Sequence, residues 1–144
     1  MEEKYGVALE VDASRGIFDH GEISLVGIPS LQALEKLLAK EKTEEDFFLD
    51  PLRFRENMYI AWDQEPWYEQ MLINQTLFIG EKVKMRIDSI NHRCVMVNVD
   101  PYSAQKDPKI LEAVGKINKA NFGVYCHVLE PGIIRVGDGV FLER

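Results

Sequence analysis

The residues best suited to chemistry lie in the stretch Asn91-His92-Arg93-Cys94. A thiol beside two potential cations ionises more readily, and the thiolate is the form that attacks electrophiles or binds metal. Cys94 is therefore the candidate catalytic residue and metal ligand, with His92 and Arg93 as the groups that tune it. A soft thiolate suits a sulfur-ligated metal centre and, equally, a persulfide. The competing reading is an inert core cysteine, since free cysteine packs as a small hydrophobe. A second set lies upstream: Arg53, Arg55 and Asn57. Two guanidinium groups two residues apart share one face of an extended chain and make a clamp for phosphate or carboxylate. Salt bridges to the acidic 41–50 stretch are the plainer account of the arginines, and a turn cap that of Asn57.

Other reactive types fall away. Cys126 sits in an apolar run with Val124 and Val128 and reads as core. His20, His92 and His127 form no metal set with the cysteines by spacing. Trp62 and Trp67 read as packing residues. No lysine stands out as a Schiff-base site, and the chain contains no Cys-x-x-Cys, His-Glu-x-x-His, Walker loop or Gly-x-Gly-x-x-Gly.

These residues need a scaffold, and 144 residues are enough for one domain over 1–144 with a sizeable core. The net charge of −7 argues against nucleic acid or an anionic membrane as partner, because both demand a basic surface. An anionic ligand remains open at a local arginine cluster. The opening Met-Glu-Glu-Lys-Tyr has no apolar signal region, and no apolar run nears the roughly 20 residues of a membrane span. The expectation is a cytoplasmic protein with reduced thiols.

The positioning elements are mostly short strands. Residues 5–11 and 22–28 read as strands, followed by a helix capped by Ser30 with Leu31, Leu34, Leu37 and Leu38 on one stripe. The charged run 40–46 reads as a helix end and loop. Residues 53–62 read as an extended stretch entering a strand, and Glu65-Pro66-Trp67-Tyr68 as a helical turn. Gly80-Glu81 is a turn, after which Val83, Met85 and Ile87 alternate with Lys84, Arg86 and Asp88 as a half-exposed strand. Val95-Met96-Val97 and Val99 read as a buried strand stopped by Asp100-Pro101, with Cys94 at its mouth. On that geometry His92 shares the Cys94 face and Arg93 points away. Asp107-Pro108 caps a second helix with Ile110, Leu111, Val114 and Ile117 buried, ending near Asn121-Phe122-Gly123. Residues 123–130 are a strand, and 133–136 with 139–143 are a final pair of strands. Many short strands and two or three short helices make the fold mainly β, a closed or nearly closed barrel.

Several of these residues recur in the order and rough spacing of one family. Arg53-Phe54-Arg55-Glu56-Asn57, Trp67, Gly80-Glu81, Arg93-Cys94 with Asp100-Pro101, Phe122-Gly123-Val124-Tyr125, Gly132 and Val136-Gly137-Asp138 together resemble a MOSC domain. The likeness covers about residues 48–142 and, more faintly, Phe18-Asp19 to Leu34. That family includes the C-terminal domain of molybdenum cofactor sulfurases and the cofactor-binding part of the amidoxime-reducing component. The resemblance implies a MOSC-type β-barrel that binds the pterin molybdenum cofactor (molybdopterin). It implies Cys94 as the molybdenum ligand, with Arg55 and Asn57 on the pterin and its phosphate. Two departures stand out: Glu56 replaces the family's usual proline and puts a negative charge beside that phosphate, and 144 residues lead to the expectation of a chain without the sizeable N-terminal companion domain of two-domain relatives.

Three functions follow as expectations. The first is binding of the molybdenum cofactor through Cys94, with Arg53, Arg55, Asn57, His92 and Arg93 around it. Any catalysis would be molybdenum cofactor-dependent reduction of N-oxygenated compounds, with electrons from an electron-transfer protein. The second is sulfur transfer, with a persulfide on Cys94 supplied by a cysteine desulfurase and delivered to metal–sulfur centres. The third is a non-catalytic interaction module that keeps only the fold.

Overall fold

The computed structural model describes residues 9–11 (backbone only), 21 and 23–143. The expected strand residues 5–8, the turn 12–16, and His20 lie outside the described residues. In chain order the elements are β1 (Leu9–Val11), β2 (Ile23–Gly27), α1 (Ile28–Lys42), a first 3-10 turn (Pro51–Phe54), β3 (Met58–Ile60), α2 (Tyr68–Met71), β4 (Thr76–Ile79), β5 (Val83–His92), a second 3-10 turn (Val95–Asn98), α3 (Lys109–Asn118), β6 (Asn121–Glu130), β7 (Gly132–Ile134) and β8 (Val140–Leu142). Six strands form one mixed sheet in the order β3-β2-β6-β5-β4-β8, and β1 pairs with β7. Among the described strands only β2 and β3 pair in parallel. The sheet curls into half a barrel, so the fold is mainly β with three short helices among the described residues. No described helix is long and apolar enough to cross a membrane.

Alternation decides which side each strand residue faces. Val83, Met85 and Ile87 of β5 are buried with Leu77 and Ile79 of β4, and Val124, Cys126 and Val128 of β6, in the hollow of the half-barrel. The other face of β2 carries Val26, which joins Leu31, Leu34 and Leu38 of α1 and Ile110, Ala113 and Val114 of α3 in a second core. Phe54 and Val97, one from each 3-10 turn, complete that core and fix both turns against it. Burying one such aromatic or aliphatic side chain is worth about 1.5–3 kcal/mol, enough to anchor a four-residue turn.

Several expected elements shift. The run from Val95 to Val99 has strand propensity but forms a 3-10 turn, because only Val97 meets the core while Val95 and Met96 are exposed. The strand that carries the site is instead β5, which continues through Ser89-Ile90-Asn91-His92 after register shifts beyond Ile87 and Ile90. α1 begins one turn early, with Gly27 as cap and Pro29 in its first turn, so Ser30 is inside the helix. The Ser30 hydroxyl accepts from the Trp67 N–H and donates to buried Glu69. Pro108, not Asp107, caps α3, although the Asp107 carboxylate accepts from the Lys109 N–H. Pro66 precedes α2, whose cap Trp67 is left-handed. β7 and β8 do not pair with each other; they add to β1 and β4.

Candidate functional site

The segment 50–57 is shaped by its first two residues. Asp50 accepts from the Leu52 N–H, Pro51 presets the first turn, and a 3-10 turn results. It ends at Arg55, which adopts a left-handed conformation (φ 55°, ψ 33°). A non-glycine residue there carries strain on the order of 1 kcal/mol or more, and such strain gathers at functional sites. The consequence is a reversal of the chain. Arg55 projects outward, and Glu56 turns inward with its side chain fully covered. Arg53 and Arg55 therefore do not lie side by side on an extended face. Arg53 Nη1 donates to the carbonyls of Val97 (3.4 Å) and Asn98 (3.1 Å), and Nη2 lies 3.5 Å from the Asp100 carboxylate. Its partners are in the second 3-10 turn and the loop after it, not in the acidic 41–50 stretch. The Arg55 N–H donates to the Leu52 carbonyl, but its guanidinium has no hydrogen bond or ion pair among the described residues.

Cys94 stands between β5 and the second 3-10 turn. Its backbone is extended, its carbonyl accepts from the Val97 N–H, and its thiol is exposed. Just before it, the Arg93 N–H donates to the Ala120 carbonyl. His92 is exposed, with Nδ1 3.0 Å from Asn121 Oδ1 across β5 and β6. Cys126 differs in every respect: it is completely buried, and burial, followed by the nearby negative charges of Asp88 and Glu56, pushes its thiol up to about 12.

Arg93 turns away from solvent. Its Nη1 donates to Glu56 Oε1 at 2.5 Å, its Nη2 donates to the Phe54 carbonyl, and its head lies 5.6 Å from the Phe54 ring centroid. Phe54 in turn packs on Phe122 with centroids 4.2 Å apart. The Glu56 carboxylate lies over Gly123, whose φ of +80° and missing Cβ make the room: a Cβ there would sit 3.0 Å from Glu56 Oε1 and 2.9 Å from the Leu25 carbonyl. Asn91 adds a long 3.4 Å contact to Glu56 Oε1, while Oε2 is buried without a partner. Burial raises the Glu56 carboxyl to about 7, against the pull of Arg93 and the neighbouring Ser24 hydroxyl.

These parts surround a cavity of about 240 Å³, lined by Arg53, Arg55, His92, Arg93 and Cys94 together with Phe54, Ser24, Asn91, Met96, Val97 and Tyr125. Five of the six residues singled out in the sequence meet at this one concavity. Asn57 does not. Its Oδ1 accepts from the Ser24 N–H (2.8 Å) and hydroxyl (3.1 Å), and its N–H reaches back to Ser24, so it pins the approach to β3 onto β2. Glu56 was legible only as a charge beside the arginines; its partner Arg93 lies 37 residues away, and no local pattern announces the pair. Ser24, Asn91 and Tyr125 join the lining because β2, β5 and β6 are neighbours, which spacing alone does not reveal.

Among solved structures, the chain is similar to the YuaD protein from Bacillus subtilis, with a TM-score of 0.63 at 19% identity over 95% of this chain and 75% of that one. It is similar to YiiM from Geobacillus stearothermophilus, with a TM-score of 0.60 at 17% identity, over 86% of this chain and 55% of that one. A third structure, of a hypothetical protein, gives a TM-score of 0.61 at 14% identity over 97% of this chain and 60% of that one. The chain thus spans little more than half the length of the last two. At these identities the likeness speaks for the fold. No curated protein matches the chain. The family model for the MOSC domain matches residues 14–141, nearly the whole chain, and the protein belongs to the MOSC domain family.

Proposed function

We propose that the cavity binds a pterin molybdenum cofactor, with the Cys94 thiolate as the protein's ligand to the metal. The observation that carries this reading is an exposed thiol opening into a concavity walled by three guanidinium groups. The donor set fits: a soft sulfur for the metal, and at Arg55 a guanidinium with no partner among the described residues for an anionic group. Among the described residues no group of three or more His, Cys, Asp or Glu is placed to hold a metal. Cys94 would thus give a single protein bond, the remaining ligands coming from the cofactor. When bound, the cofactor would supply reduction of N-oxygenated compounds with electrons from a separate protein. Arg55 would orient the anionic end, and Arg53 would hold the two 3-10 turns that carry Arg55 and Cys94 at a fixed separation. His92 stands at the rim, where its imidazole can hydrogen-bond a ligand.

A second reading has its own observation in favour. Arg93 is already occupied by Glu56, which weakens the anion clamp but leaves the Cys94 thiol exposed. A persulfide carrier needs only that thiol. Its thiolate would attack the terminal sulfur of a donor persulfide, the donor's thiolate would leave, and the sulfur would then pass to an acceptor.

The deciding experiment is elemental analysis of protein purified from a host that makes the cofactor. Molybdenum in the wild type and none in Cys94→Ser is the expected result. Molybdenum in neither, with a cyanide-labile sulfur on Cys94, supports the carrier instead. Full loading of Cys94→Ser contradicts the assignment of Cys94.

A further inference from the structure

Three guanidinium groups line the cavity, but they are not equally available. Arg53 is compensated by Asp100 and two carbonyls. Arg93 is compensated by Glu56 and the Phe54 carbonyl. Of the three, Arg55 alone has a guanidinium without a partner among the described residues. While Glu56 is ionised, the cavity therefore offers one free positive charge. If Glu56 becomes neutral, Arg93 keeps its place but loses its counter-charge, and the cavity offers two.

We propose that Glu56 selects the charge of the ligand, with its ionised form suiting the cavity to singly charged anions and its protonation admitting a doubly charged one. The inference rests on the anion-binding reading above and names the residue that limits it. Geometry makes the switch possible. A carboxylate is stable in a protein interior when both oxygens receive donors. Glu56 Oε1 has Arg93 and the long contact from Asn91, but Oε2 is buried and has none. The groups facing Glu56 are Arg93 and Asn91 from the end of β5, Ser24 from β2, the Gly123 backbone from β6 and, as a further negative charge, Glu69 from α2. Only Arg93 among them favours the ionised state by charge. The balance is close enough that the carboxyl titrates at about 7. A dianion arriving at Arg93 adds negative charge to the far side of the same guanidinium, which favours proton uptake by Glu56. By linkage, acid then favours the dianion.

Sulfate and methanesulfonate test this, since they are alike in shape, differ by one charge, and do not titrate between pH 6 and 8. Binding is measured by calorimetry at low salt in wild type, Glu56→Gln and His92→Gln. In wild type, sulfate is expected to bind roughly tenfold tighter at pH 6 than at pH 8, and methanesulfonate to change much less. Glu56→Gln should bind sulfate at pH 8 about as well as wild type does at pH 6, with the pH slope gone. His92→Gln should keep the slope, which separates Glu56 from the imidazole that also lines the cavity. If Glu56→Gln does not fold, the wild type and His92→Gln still decide. An equal slope in wild type and Glu56→Gln, or its loss in His92→Gln, overturns the role of Glu56 and leaves the anion cavity standing. No binding of either anion to any form overturns the anion cavity as well.

Discussion

The sheet wall and the cavity rim hold the same kinds of residue under opposite conditions. In the wall, β6 buries Cys126 among Ile87, Val124 and Val128, and its thiol stays protonated far above neutrality. At the rim, a strand end and two 3-10 turns leave Cys94 open to a cavity lined by cations. The arginines divide in the same way: Arg93 is drawn into the wall by Glu56, whereas Arg55 is turned out by a left-handed backbone. The lesson is that chemistry gathers where regular structure stops. Strand and helix positions are committed to packing, and only their ends release polar groups toward a ligand.

The seam between wall and rim is the Arg93–Glu56 pair, and breaking it should have the largest effect. Arg93→Ala leaves a buried carboxylate without its cation and is expected to cost on the order of 3 kcal/mol at pH 8. The cost should shrink near pH 5, where Glu56 is protonated in either protein and only the contacts to Phe54 are lost. Urea melts at the two pH values check this. An equal loss at both would mean that the pair contributes through packing alone.

Glu56→Gln sharpens the same point with an effect no larger than that. Folded protein holds the Glu56 proton up to about pH 7, against a reference value of 4.5. This group therefore favours folding fully below about pH 4.5 and loses that contribution as pH rises to 7. Relative to the Gln variant, wild type should lose about 3 kcal/mol at most across that window, and less if water reaches the site. Parallel pH–stability curves for the two proteins would contradict the burial of an ionisable Glu56.

At the rim itself, Arg53→Ala should cost roughly 1 kcal/mol, because it removes modest hydrogen bonds to the second turn and a long, partly exposed ion pair to Asp100 just after it. Its effect should be concentrated in the rim, as faster amide exchange in Val95–Asn98 with β5 and β6 unchanged. Uniformly faster exchange would show that the rim is no separate unit.

How much of this was legible depended on the range of the interactions. Alternation in Val83-Lys84-Met85-Arg86-Ile87 disclosed β5, and the stripe of α3 disclosed its buried face, because both signals are local. The site residues could be named by type, since a thiol beside cations and paired arginines carry their chemistry with them. Their arrangement could not. Val95–Val99 has the composition of a strand, yet among the described residues its one pairing is the isolated bridge of Val99 to Lys106. Arg55 is left-handed without being glycine or asparagine, so nothing in its type marks the reversal. That reversal sends Glu56 inward, to a partner the chain supplies only after three more strands. Asn57, two residues from Arg55, was expected in the cavity on extended geometry and is diverted to Ser24 for the same reason.

The central claim is that Cys94 is the available thiol and that it opens into an anion-attracting cavity. Brief alkylation of native protein with iodoacetate and with neutral iodoacetamide, followed by peptide mapping, tests both halves at once. The account predicts labelling at Cys94 and none at Cys126, a bias toward iodoacetate over that of free cysteine, and loss of that bias in Arg55→Ala. Labelling of Cys126 ahead of Cys94, or a Cys94 that resists both reagents, would contradict it.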